Sequence, residues 1–113
     1  MASGPIGPCA LVFALLVAAP VALAGKLIAF DLELHNGELI PAVLEVPANT
    51  RFKINLRNTG NTPAEFESLR LRQEKVLGPG ASSFVVIYPL KPGTYEFIDE
   101  FHLPDAKGSI IAK

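Results

Sequence analysis

From Lys26 to the last residue, apolar and polar side chains alternate over short runs, and Gly, Pro and Asn cut the runs apart. A period of two belongs to a strand with one buried face. In "KLIAFDLELHNGEL", Ile28, Phe30, Leu32 and Leu34 share one face, and Ala29, Asp31 and Glu33 share the other. Asn36-Gly37 marks a turn. "AVLEVPANT" reads as a short strand that stops at Pro47, with a turn at Val46 to Thr50. "RFKINLRN" alternates again, with Phe52, Ile54 and Leu56 inward, and "NTGNTP" is a polar loop. "AEFESLRLRQEKVL" is less regular, and its charges at Glu67 and Arg70 would also suit a helix. Two short strands joined by a polar turn are expected there, Glu65–Leu69 and Glu74–Leu77. "GPGAS" breaks the chain, "SFVVIYPL" is rich in branched and aromatic residues, and "KPGT" turns into "YEFIDEF". "GSIIAK" closes the chain as a strand. Roughly seven or eight short strands with regular turn signals and no marked helix predict an all-β fold, an antiparallel Greek-key β-sandwich.

The chain is 113 residues long, enough for one domain. No charged side chain occurs in residues 1–24, and Leu11 to Ala19 is an apolar run ended by Pro20. Ala22-Leu23-Ala24 then offers the small residues a signal peptidase requires. A membrane span needs roughly 20 apolar residues, more than this run supplies. The expectation is a signal peptide at 1–24 and a folded domain at 25–113, with no stable membrane span after cleavage; the competing reading is an uncleaved anchor. Cys9, the single cysteine, lies ahead of the apolar run. The mature chain would then have no disulfide, no thiolate nucleophile and no thiolate metal ligand. Its 10 basic and 11 acidic residues nearly balance, so there is no basic field of the kind nucleic-acid binders carry.

Several phrases resemble the cupredoxin family, the copper-protein sandwiches. "ELIPAVLEVPANTRFKINLRNTG" is similar to that family's Pro before a strand, its Val-Pro-Ala-Gly-Thr phrase and its strand ending in Asn. "GPGASSFVVIYPLKPGTYEF" is similar to its Pro-Gly turn and its Pro-Gly-Thr-Tyr-x-Phe phrase. The likeness covers roughly residues 26–113. Members that carry one copper use a His, then Cys-x-x-His, then usually a Met. On this sequence those positions fall at Ala64, Asp99, His102 and near Lys107. A blue-copper centre needs a thiolate with two imidazoles, so the resemblance implies the scaffold without type 1 copper. "PAEFES", "EKVLGPG" and "FIDEFH" are closer to a subfamily of periplasmic proteins associated with bacterial high-affinity iron uptake. That resemblance implies a periplasmic location. It also implies a role in handling iron or copper beside a periplasmic iron-binding protein, a membrane permease, or both.

Strand parity adds candidates from the residues themselves. Tyr95 and Phe97 point inward, so Asp99 does too. An ionised carboxylate in an apolar interior requires a partner, and His102 lies three positions on. Glu65 and Glu67 share the face opposite Phe66, and Glu100 follows Asp99. The candidate metal ligands are therefore His102, Asp99, Glu100, Glu67 and Glu65, expected to gather at one tip. Carboxylates with one imidazole suit iron, manganese, zinc or oxidised copper better than cuprous copper. The competing readings are solvated glutamates paired with Arg57, Arg70 or Arg72, an Asx turn at Asp99 and a loop cap at His102. His35 is expected to face solvent, and Tyr88 and Tyr95 to pack.

No catalytic residue stands out. Ser82, Ser83 and Ser109 suggest no Ser-His-Asp arrangement, and the glycines read as turn residues. Three roles remain: a periplasmic metal-handling protein, a metal-free module that docks on a transporter or carrier, and a ferroxidase-like enzyme working with a partner.

Overall fold

A computed structural model of the chain describes residues 26–113, and the expected signal peptide at 1–24 lies outside the described residues. Nine strands follow in order: β1 Ile28–His35, β2 Glu38–Ile40, β3 Val43–Val46, β4 Phe52–Asn58, β5 Ala64–Ser68, β6 Gln73–Leu77, β7 Ser82–Ile87, β8 Gly93–Asp99 and β9 Lys107–Ala112. The only helical turn among the described residues is a short 3-10 helix, Glu100–His102, between β8 and β9. One sheet has the order β2-β1-β4-β7 and the other β3-β9-β8-β5-β6.

The all-β sandwich expected from the alternation is the fold found. Two details differ. β1 and β4 run parallel, as do β3 and β9, so both sheets are mixed. The stretch Glu38–Ile40 is a strand of its own, which the alternation alone does not separate from the turn beside it.

Each strand turns its apolar parity inward. Leu32, Leu34, Phe52, Ile54, Leu56, Phe66, Phe97 and Ile110 are at most 1% exposed and fill the space between the sheets. Burying each such side chain contributes roughly 1.5–3 kcal/mol. Phe66 and Phe97 meet across neighbouring strands with ring centroids 5.5 Å apart. Gly108 makes this possible: a Cβ there would lie 2.6 Å from the Phe97 ring.

Local chemistry fixes the connections at the end that matters for function. Asn36 and Gly37 both have positive φ, 48° and 91°, as a two-residue hairpin turn requires. The turn pairs His35 with Glu38 and leaves Gly37 against the side chain of His102. β5 and β6 form a second hairpin in which Glu67 stands opposite Glu74. β5 also pairs with β8, with Phe66 opposite Asp99. The β1–β2 turn, the 59–63 loop and the 3-10 helix therefore meet at one end of the sandwich.

Candidate functional site

Asp99 ends β8 with the same parity as Tyr95 and Phe97, and it is 0% exposed. Its Oδ1 accepts hydrogen bonds from the backbone N–H of Glu65 at 2.9 Å and of Phe101 at 3.1 Å. Its Oδ2 lies 2.7 Å from Nδ1 of His102. A carboxylate only accepts, so Nδ1 carries the proton in this pair. The other ring nitrogen, Nε2, lies 3.0 Å from Oγ1 of Thr62. The buried charge thus has donors on both oxygens, which offsets the cost of removing it from water.

The same end is laced further. Asn58 is 0% exposed; its Nδ2 donates to the carbonyls of Thr62 and Leu77, and its Oδ1 accepts from Gly60. Asn36 Oδ1 accepts from the N–H of Asn61 at 3.0 Å. Thr59 donates to Glu33 at 2.6 Å, and its Oγ1 also lies 3.1 Å from Nδ1 of His35. His35 is exposed, as its turn position implies. Among the described residues, no buried side-chain nitrogen or oxygen lacks a partner.

A different arrangement lies on the outer face of β5 and β6, one peptide away. Glu65 and Glu67 point away from Phe66, as expected. Glu74 stands across from Glu67, and Glu100 reaches in from the 3-10 helix. Among the described residues the ion pairs are His102–Asp99 and Lys113–Glu45, so no Lys or Arg neutralises these four glutamates. The expected partner Arg70 instead donates to the carbonyl of Thr94 and lies over the ring of Tyr95. Glu65 is only 9% exposed. Burial, then repulsion from Glu74 and Glu100, pushes its carboxyl above the ordinary value. Glu67 is pushed up to about 7, first by a hydrogen bond shared with Glu100, then by lost hydration and by repulsion from Glu100, Glu65 and Glu74.

All five sequence-derived candidates therefore lie in one region, but they do not form one ligand set. Asp99 and His102 make a closed pair with every ring nitrogen engaged, whereas Glu65, Glu67 and Glu100 face outward with Glu74. Among the described residues no group of three or more His, Cys, Asp or Glu side chains is arranged to hold a metal ion as it stands. Type 1 copper does not fit these residues: Asp99 occupies the thiolate position, Ala64 the first imidazole position, and His102 is already bound on both sides. Glu74, Thr62 and Asn36 were not among the sequence candidates. Glu74 was legible from hairpin pairing with Glu67, whereas Thr62 and Asn36 lie in loops whose approach no periodicity encodes. Tyr95 packs as expected, but Tyr88 is 69% exposed with the Arg51 guanidinium over its ring.

The family model described as the cupredoxin-like domain matches residues 8–112. An uncharacterized protein of Rickettsia prowazekii (strain Madrid E) is 37% identical over 78 residues, which cover 69% of this chain and 62% of that protein. The chain thus spans less than two thirds of that relative's length. Reduced auracyanin from Roseiflexus castenholzii superposes with a TM-score of 0.65 at 16% identity, covering 79% of this chain and 99% of that one. The metal-binding domain of the Cu(I)-exporting P-type ATPase of Streptococcus pneumoniae D39, solved with Cu(I), gives 0.57 at 17% identity and covers 79% and 99%. At such identities these structures speak for the fold.

Proposed function

The chain belongs to the cupredoxin-like domain family, and from that premise we propose that it is an exported, periplasmic protein that handles a metal cation during uptake, iron first and copper second. It is not a blue-copper electron carrier, because Asp99 and Ala64 stand where that centre needs a thiolate and a second imidazole. The observation that carries the reading is the face of Glu65, Glu67, Glu74 and Glu100, which holds four carboxylates without a basic partner among the described residues. Glu65, 9% exposed, has another carboxyl, that of Glu74, as its side-chain hydrogen-bond partner. Such a face gains from any added positive charge, and its oxygen donors suit ferric, manganous or cupric ions. Because the face is open, it suits brief custody and transfer better than storage. The apolar run from Leu11 to Ala19, followed by the small residues at Ala22-Leu23-Ala24, supports export. A periplasmic iron-binding protein or a membrane permease would give or receive the cation. Oxidation of ferrous iron would need copper or an acceptor on that partner, since the chain's own residues provide no redox couple.

Calorimetric titration of the purified protein with ferrous, ferric-citrate, cupric and manganous ions tests this. The expected result is one cation per molecule, weakened at least tenfold in Glu67→Gln with Glu74→Gln and kept in His102→Ala. Affinities all weaker than about millimolar would discard the reading. A second reading has its own support. Leu69, Val76, Phe101 and Leu103 are 80%, 58%, 50% and 44% exposed around the same region, as a docking module requires. Partner binding indifferent to chelators would favour it.

A further inference from the structure

Thr62, His102 and Asp99 stand in the order hydroxyl, imidazole, carboxylate. Oγ1 of Thr62 is 3.0 Å from Nε2, and Nδ1 is 2.7 Å from Asp99. Asp99 is held by two backbone N–H groups, and His102 is packed against Gly37. The ring is therefore held with Nδ1 toward Asp99 and Nε2 toward Thr62. Thr62 is exposed, and the His102 side chain is 22% exposed, so the hydroxyl is reachable from solvent. The other acceptor near Thr62, Asn36 Oδ1, is more distant at 3.4 Å. Nucleophile, base and orienting group in hydrogen-bond reach define an activated hydroxyl irrespective of fold or chain order.

We propose that Thr62 is an acyl-acceptor site, activated by His102, for small activated acyl esters. Oγ1 attacks the acyl carbon and forms the new C–O bond while His102 Nε2 takes its proton. The tetrahedral adduct then expels the alcohol, which receives that proton from Nε2, and Thr62 is left as an ester. Asp99 is a positioning residue, since it touches only the ring and the backbone. Pro63 follows the nucleophile and has no N–H to offer a developing oxyanion. An oxyanion donor is ordinarily worth about 100–1,000-fold, so without one from Pro63 both the uptake and the release of the acyl group are slow.

The test exposes the full chain to p-nitrophenyl acetate and maps acetylation by tandem mass spectrometry. Thr62 is expected to be the one hydroxyl acetylated ahead of the other Ser and Thr residues, with that acetylation absent in Thr62→Val, kept in Thr62→Ser and slowed about 100-fold in His102→Gln, in line with general-base assistance. Nitrogen NMR of the ring should show the proton on Nδ1, and Asp99→Asn should move it to Nε2 and slow acetylation. Thr62→Ser reports even if Asp99→Asn fails to fold. Acetylation confined to lysines, or a Thr62 rate unchanged in His102→Gln, would overturn the proposal.

Discussion

Asp99 and Glu65 are joined by one hydrogen bond, yet their carboxylates live in opposite circumstances. Asp99 lies inside the sandwich with a donor on each oxygen. Glu65 points the other way, toward Glu74 and Glu100, and finds carboxyl groups where Asp99 finds donors. The inner carboxylate is costly to bury and is matched by donors on both oxygens; the outer ones face one another with no basic partner among the described residues. The contrast separates what the fold needs from what the surface leaves available. A matched charge holds loops in place and has nothing left to offer a ligand. An unmatched cluster contributes little to folding and keeps its affinity for protons, cations or basic partners.

Substitutions should separate the two regions by size and by sign. The largest effect is expected for Asp99→Ala, which strands two backbone donors and an imidazole; a loss of about 3–5 kcal/mol in urea unfolding is expected. A loss below about 1 kcal/mol would mean the inner carboxylate is not needed. Gly37→Ala places a side chain at φ 91° and sets its Cβ 3.2 Å from that of His102, so about 1–2 kcal/mol should go. Thr62→Val removes one hydrogen bond at the exposed edge of the network, and about 0.5–1.5 kcal/mol is expected from the same measurement.

The smallest effect should have the opposite sign. Glu67 titrates at about 7 in the folded chain against an ordinary value of 4.5. Between those values the folded state binds more protons than the unfolded state. Its stabilising contribution is therefore complete below the lower value and is lost as pH rises through the upper one. Glu67→Gln should leave Tm unchanged at acid pH and raise it slightly above neutrality, flattening the slope between the two values. A scan of Tm against pH checks this, and an identical slope in the variant would place the proton elsewhere.

Much of this contrast is legible in the sequence. Alternation placed Tyr95, Phe97 and Asp99 on the inner face and Glu65 and Glu67 on the outer one, because a period of two needs no tertiary information. The need for a partner at Asp99 also followed from burial alone, and His102 supplies it. What periodicity does not carry is strand direction and loop approach. The parallel pairing of β1 with β4 depends on crossovers, and alternation reads the same in either direction. Thr62 and Asn36 reach His102 from two loops distant in sequence. The division of the candidates into a closed pair and an open face depends on side-chain angles that sequence spacing leaves free.

The lacing of the sandwich end by its own side chains has a consequence for the life of the protein. In a metalloprotein whose loops are gathered by an ion, the mature shape waits for that ion, and starvation leaves a slack, protease-prone form. Here the loops are tied by amides, a hydroxyl and an imidazole that arrive with the chain. The loop end is thus held by groups the sequence itself supplies, Asn36, Asn58, Thr62 and His102.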